Sequence, residues 1–598
     1  MKTWHALLLA LVLPACTQAQ DKPEALLPGT TQLYLRWDGV DAHALDYART
    51  AMGKLLAGDT GHFITGLFEQ LQESLAGSLT VDQLLQGVSP EKLKKIQADA
   101  KEAPRALTLV AGHGFILAGE VRGVNPPQAE LTLIVPGAGE KSTALFAAFR
   151  LIAALADAEL KESKIDGKIV HHFSHEFVHV AWWLEGKHAV LTAGSAPAEA
   201  LVKRRAPADA EARLTANPLF RKVSTFKEFG TAARGFIDLP AMLKGIKLGE
   251  KELDQHVAEL VASSGLDGIK SITFYSGFDG DADRGLIEID APGPRKGLLS
   301  LAGGKPFDLS EVPPLPADVT SWSMANFDLQ KTYDVVLQLV EQGIKLFKPD
   351  ALAEFQGGYK QVDEFLGVKL RDDILAHLDG RFLVYNSPAE GPFTLGQTFL
   401  MKVKDPEKLS EAMDTAVKSL LKLAGGEASV HKRKFHDAVI HEVNVRKEGF
   451  IFVPSWTIRN GWLAIGYYPQ AVQGYVLRAN GELPAWKASP QTQASLDRLP
   501  RQFTLVSWTD PSPSVRQILA LAPLVLGVVN SSVKDIRFDV GSLPNAHEAT
   551  RHLFPNVTVA TDREGVIRFE SRASLELPFD LSGVELYGVF FAFALARF

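Results

Sequence analysis

The chain is predicted to fold as α+β, as two tandem homologous repeats, each an antiparallel sheet with helices packed on it. Three observations predict this. Similar segments recur at separations of 266 to 288 residues within the 598, a domain-sized period. Strand-like segments end at an aspartate and run into helical spacing. Short alternating segments flank tight-turn residues, the pattern of hairpins and hence of antiparallel pairing.

The first copy opens at Leu27-Pro28-Gly29-Thr30 and the strand-like Gln32 to Asp38; the second opens at Leu315-Pro316-Ala317-Asp318 and Trp322 to Asp328. His113-Gly114 aligns with Asp379-Gly380 at an offset of 266, and the same offset aligns Leu131 to Leu151, a strand followed by a helix, with Gln397 to Val417. At an offset of 272, Gly194 and Pro197 match Gly466 and Pro469, and Phe236 to Leu239 match Trp508 to Pro511. Gly285 to Glu288 faces Gly565 to Arg568 at 280. Five matches in nearly constant register indicate duplication. The expected divisions are a signal peptide at 1–20, a first repeat at 21–300, a Gly/Pro-rich linker at 301–314 and a second repeat at 315–598.

Asp38, Asp238, Asp328 and Asp510 each close a strand-like segment ahead of a helical pattern. A carboxylate there accepts from the free N–H groups of a first helical turn, so all four are expected as helix caps. None has an acidic neighbour at ligand spacing, which disfavours catalysis or metal binding. Hairpins are expected around Glu185-Gly186-Lys187, Asp279-Gly280-Asp281 and Arg459-Asn460-Gly461, the last with the Asn-Gly pair suited to a two-residue turn. Helices are expected on one face of each sheet.

The one cysteine, Cys16, follows Leu13-Pro14-Ala15. Met1-Lys2 supplies a positive start and Ala6 to Leu13 an apolar stretch too short for a bilayer span of ~20 residues. The segment resembles the lipobox of bacterial lipoproteins, in which such a cysteine becomes the lipidated N-terminus, although Pro14 stands where a small residue is usual. Cleavage after Ala19, leaving a soluble exported protein, is the other reading. Both take the chain out of the cytoplasm, the first to an outer membrane lipoprotein facing the periplasm. With Cys16 lipidated or removed, no disulfide, thiol catalysis or cysteine-bound metal remains possible. A net charge of −7 argues against a nucleic-acid surface, and 46% hydrophobic with 22% charged residues is ordinary for a folded chain.

Two motifs invite a catalytic reading. His175-Glu176-Phe177-Val178-His179 spells the H-E-x-x-H of zinc hydrolases, which needs a helix to bring both imidazoles to one ion. Val178, Val180, Trp182 and Trp183 argue for a strand instead. On one continuous strand His175 and His179 would share a face ~13 Å apart, too far to share a metal. The second copy has Lys447-Glu448-Gly449-Phe450-Ile451 in this place, without either histidine. His171 and His172 enlarge the cluster, so His171, His175 and His179 remain the candidate ligands for a metal. Gly137-Ala138-Gly139-Glu140-Lys141-Ser142 imitates a phosphate loop, but Glu140 stands where glycine is required; a helix start is expected. The apolar Val584 to Phe598 is expected to close a core or to face a membrane or partner.

The Leu27-Pro28-x-x-Thr31 opening, Gly380 to Tyr385, Val403-Lys404-Asp405-Pro406-Glu407 and Gly466 to Ala471 together resemble an uncharacterised family of exported bacterial proteins of unknown function, often with two copies of one domain. The resemblance covers most of 27–575. It implies export and the doubled architecture, and it brings no catalytic residue, cofactor or substrate. The expected function is a non-catalytic, lipid-anchored envelope protein that binds or scaffolds, without cofactor, its partners being the membrane through the N-terminal lipid and a protein or apolar ligand. The alternatives are a periplasmic carrier of an apolar ligand and a metal hydrolase using His175, Glu176 and His179.

Overall fold

The computed structural model describes residues 22–78, 90–122, 128–205, 207–246, 250–391, 393–423, 428–447, 450–532 and 539–575. The fold is α+β with antiparallel strand pairing. The chain divides into two compact units. The first comprises residues 1–254, 270–289 and 518–552, the second 255–269, 290–517 and 553–598.

In the first unit the strands are β1 (Leu33–Trp37), β2 (Phe115–Arg122), β3 (Gln128–Val135), β4 (Lys161–Ile165), β5 (Lys168–His175), β6 (Val178–Glu185), β7 (His188–Gly194), β8 (Gly230–Ile237), β9 (Ser271–Asp279) and β10 (Ala282–Asp290). Their order in the sheet is β10-β9-β8-β1-β2-β3-β7-β6-β5-β4. Alternation along each strand sends Tyr34, Ile116, Ile134, Val190 and Phe236 to one face, under the helices Ala198–Lys203 and Pro218–Ser224. The opposite face sends Val135, Phe173, Trp182 and Ala189 against Leu145, Phe149 and Ala153 of the helix Ser142–Leu155. Helices therefore cover both faces, not one, because the strands are apolar on both sides.

The second unit holds β11 (Ser321–Asn326), β12 (Leu378–Asn386), β13 (Gln397–Val403), β14 (Ala428–Phe435), β15 (Ala438–Lys447), β16 (Phe450–Phe452), β17 (Ser455–Arg459), β18 (Trp462–Gly466), β19 (Leu505–Thr509), β20 (Asn556–Arg563) and β21 (Val566–Ala573). The order is β21-β20-β19-β11-β12-β13-β18-β17-β15-β14, with the short β16 also on β15. One face buries Trp322, Met324, Leu383, Leu400 and Val506 under Tyr475 and Leu496 of the helices Pro469–Ala479 and Pro490–Leu496. The other buries Ala325, Phe382, Leu463 and Leu505 against Leu329 and Leu409 of the helices Leu329–Phe347 and Pro406–Leu423.

Local chemistry explains the turns. Asn460 and Gly461 sit at φ 51° and 73° between β17 and β18, the left-handed pair that a two-residue hairpin turn requires. Gly280, at φ 72°, opens the turn from β9 to β10. The segment expected as a linker is instead part of the second core. Phe307 is buried, exchanges both backbone hydrogen bonds with Phe503 at 2.9 and 3.1 Å, and sets its ring edge-on to Phe503 at 5.0 Å. Leu309 and Val312 pack on the same core. Nor does the division into units follow 301–314, since 255–269 belongs to the second unit and 518–552 to the first.

Candidate functional site

The H-E-x-x-H segment is a hairpin rather than one strand. β5 ends at His175, Glu176 turns at φ 52°, Phe177 is exposed at the tip, and β6 begins at Val178. His175 pairs with Val178, Ser174 with His179 and His171 with Trp182. Directly paired residues share a face and neighbours alternate, so His171 and His175 lie on one face and His172 and His179 on the other. The two motif histidines are thus separated by the sheet itself, a stronger separation than a continuous strand would give. The sequence expectation of a shared face fails because the chain reverses between them.

Three of the four histidines have a local partner. His171 stacks on Trp182 at 5.8 Å and lies 3.5 Å from Glu162. His172 bonds Ser163 at 2.9 Å, and burial followed by the nearby Lys161 pulls its imidazole below the usual value. His179 bonds Ser174 at 2.7 Å. Among the described residues no group of three or more His, Cys, Asp or Glu side chains is placed to hold a metal. Gly139–Lys141 of the phosphate-loop lookalike is a single 3-10 turn leading into the helix Ser142–Leu155.

Three of the four aspartates cap helices. Asp238 accepts from the Ala241 N–H at 3.0 Å, Asp328 from Lys331 at 3.0 Å, and Asp510 from Ser512 at 2.9 Å. Asp38 does not. Its carboxylate pairs with Arg36 on its own strand and with Arg234 on β8 at 3.0 Å, with His43 3.5 Å away. The 3-10 turn that follows, Asp41–His43, has Val40 at its cap position and no side-chain cap. Two arginines from adjacent strands claim the carboxylate before a helix can, and they hold it below the ordinary carboxylate range against its burial.

Each unit also buries an arginine–glutamate group that ties a helix end to the sheet. In the first, Glu130 on β3 meets Arg122, Arg204 and, at 3.2 Å, Arg205, while Glu120 on β2 pairs with Arg204 and accepts from Thr30 at 2.8 Å. In the second, Arg478 donates to Glu390 at 2.6 Å and to the Tyr385 hydroxyl at 2.7 Å, and that hydroxyl donates to Glu390 at 3.0 Å. Burial raises the carboxyls of Glu130 and Glu390, with the arginines opposing it. The side chains of Glu130 and Glu390 are 0% and 7% exposed, so neither carboxylate offers a face to a substrate. These are fastenings rather than reaction centres.

Among the described residues two apolar surfaces stand out. On the sheet of the first unit an open apolar groove of about 350 Å³ runs between Leu33, Val121, Leu131, Val178, Ala193 and Met242. The other is the helix Pro511–Ser532, which begins at the Asp510 cap. It is long and apolar enough to cross a membrane, with one charged residue, Arg516, and hardly any of it is buried. Val515, Leu519, Ala522, Leu526 and Val529 form a half-buried stripe. On the opposite side Ile518, Leu521, Leu524, Val525 and Val528 are 66%, 45%, 70%, 54% and 60% exposed. Sequence reasoning expected a helix after Asp510 but drew nothing from its apolar run, although Ile518 to Val529 is twelve residues without one polar side chain. Cys16 and the apolar 584–598 lie outside the described residues.

No family model matches the chain, and no curated protein matches it. Solved structures of TP0453 show a distant structural similarity over about half of the chain. Crystal form III covers 48% of this chain and 88% of that one at 10% identity and a TM-score of 0.22. Crystal form I covers 46% and 80% at 12% and 0.20, and form IV 46% and 82% at 11% and 0.20.

Proposed function

We propose that this protein is a non-catalytic component of the cell envelope that binds or scaffolds, exported and held at the outer membrane by a lipid on Cys16. The observation that carries this reading is the uncovered apolar side of Pro511–Ser532. A helix apolar all round is normally enclosed by protein or lipid, and an exposed patch of this kind marks an interaction surface. The signal-like Met1 to Cys16 supports the location, and the resemblance to exported double-domain proteins accords with it. That the two units are copies of one domain is part of the same reading. It is supported by their strand orders, which correspond strand for strand if β16 is set aside, and by the positive-φ glycines Gly114, just before β2, and Gly380, the third residue of β12.

Fractionation of cells with mass spectrometry of the mature N-terminus tests the location. The native chain is expected in the outer-membrane fraction with a modified Cys16, and Cys16→Ala is expected to leave that fraction or to block processing. An unmodified N-terminus at Gln20 would remove the anchor from the reading. The groove beside Leu33 and Met242 favours a second reading, a carrier of an apolar ligand; lipid extracted from the purified protein in stoichiometric amount would select it.

A further inference from the structure

We infer that the outer side of the helix Pro511–Ser532 is a lipid-binding surface that lies in the plane of a bilayer, a second membrane attachment independent of Cys16. This deepens the envelope reading and rests on it. The side in question is the stripe Ile518, Leu521, Leu524, Val525 and Val528, which falls at i, i+3, i+6, i+7 and i+10 and so occupies one side of an α-helix.

Three features select lipid over protein as its occupant. The stripe is purely aliphatic. Protein interfaces enrich aromatic residues and arginine at their centre and carry about one hydrogen bond per 100–200 Å², and these five side chains offer neither. The exposed aliphatic area is on the order of 500 Å², the upper end for a monomer's patch, yet it is below the ~800 Å² per partner of a standard stable interface. Insertion between lipid tails has no such threshold, since its gain grows with each buried methylene. Finally, Cys16 in its lipobox-like setting would hold the chain at a bilayer surface, where even a weak apolar surface stays occupied; one acyl chain alone gives only marginal attachment and a second signal makes it stable.

The helix lies on the membrane rather than through it. Its 22 residues would reach ~33 Å, enough to span. However, its first residues, Pro511 and Ser512, are buried directly after β19, which fixes the start of the helix in the protein, and its exposed aliphatic side chains gather in one stripe while Val515, Leu519, Ala522, Leu526 and Val529 are half-buried.

The test uses the full chain bearing Cys16→Ala, made without lipid, and vesicles of phosphatidylethanolamine and phosphatidylglycerol. Flotation of this protein with the vesicles is expected, and Leu521→Asp with Val525→Asp should lower the bound fraction about tenfold or more. Cys16→Ala also leaves the chain without cysteine, so Leu524→Cys gives a single site for an environment-sensitive dye. Its emission should shift to the blue with vesicles, while a dye at exposed Ser429 (Ser429→Cys) should not respond. This readout stands even if the aspartate pair fails to fold. Absence of flotation together with a silent Leu524 dye overturns the inference. So does a dye shift that follows protein concentration without vesicles, which would assign the stripe to a second copy. In either case the envelope reading stands or falls separately, on the state of Cys16.

Discussion

Arg478 on the helix Pro469–Ala479 reaches down to Glu390 at 2.6 Å, with both side chains less than a tenth exposed. The same guanidinium also holds the Tyr385 hydroxyl, so one residue fastens a helix to β12 and to the loop that follows it. Removing one partner of such a pair strands the other as an uncompensated buried charge. Arg478→Met is therefore expected to cost about 3–5 kcal/mol in urea unfolding, while Arg478→Met with Glu390→Leu should recover most of that loss.

The same pair sets a pH dependence. Burial raises the Glu390 carboxyl, and Arg478 works against that rise. A carboxyl raised in the folded state favours folding below its unfolded value, and that contribution is lost as pH climbs through the folded value. Without Arg478 only the Tyr385 hydroxyl still opposes the rise, so the deficit of Arg478→Met should be largest near neutral pH and shrink as the carboxyl protonates. Unfolding at about pH 7 and about pH 5 checks the sign. A deficit equal at both would show that Glu390 is solvated in the variant.

Gly380 stands at φ 88°, and a Cβ there would lie 2.3 Å from the Phe327 carbonyl oxygen; Gly114 stands at φ 73°, with its Cβ 2.1 Å from the Trp37 oxygen. In each case the obstacle is backbone, which cannot swing aside. Gly380→Ala and Gly114→Ala should each cost more than the ~1 kcal/mol of an ordinary strained glycine replacement. Thermal unfolding that leaves either variant at the native midpoint would contradict this.

What was legible in the sequence was local. Asn460-Gly461 announces its own turn, and Asp238, Asp328 and Asp510 cap helices that start within three residues of them. What was hidden depended on distant chain. Asp38 looked like a fourth cap, but its partner Arg234 is 196 residues away. Phe307 sits in a Gly/Pro-rich stretch that reads as a linker, and only Phe503 reveals it as core. The reversal at Glu176-Phe177 was missed because neither residue is a usual turn former and the flanks read as one continuous strand. The helix Pro511–Ser532 was announced by Asp510, but the exposure of its apolar side chains was not, because nothing local in the sequence says what covers a helix face.

Asp38 and Asp328 should respond differently to alanine. Asp328 bonds one first-turn N–H at an exposed site, so its loss should cost ~1 kcal/mol. Asp38 sits between Arg36 and Arg234 with 13% of its side chain exposed. Its loss leaves two half-buried guanidiniums without their common partner and should cost more, about 2–3 kcal/mol. Equal losses in denaturant unfolding would return Asp38 to the role of a simple cap.

Phe307→Ala should destabilise by about 3–5 kcal/mol, the range for emptying a buried aromatic site. The ring is 1% exposed and edge-on to Phe503. Were residues 301–314 a free tether, the substitution would fall within the ~0.5 kcal/mol of a surface change.

The hairpin at Glu176 governs the last expectation. His175 is exposed and faces away from His179, which is already bonded to Ser174. A zinc ion needs its nitrogen ligands ~2.0–2.1 Å from one point, and no rotamer carries two imidazoles to one point through a sheet. Chelator should therefore leave the thermal midpoint unchanged, and His175→Ala should stay within ~0.5 kcal/mol of the native stability. His179→Ala should lose only the exposed bond to Ser174, about 0.5–1 kcal/mol. A chelator-sensitive midpoint, or a peptidase activity abolished both by chelation and by Glu176→Gln, would mean that the segment rearranges to bind metal and would restore the hydrolase reading.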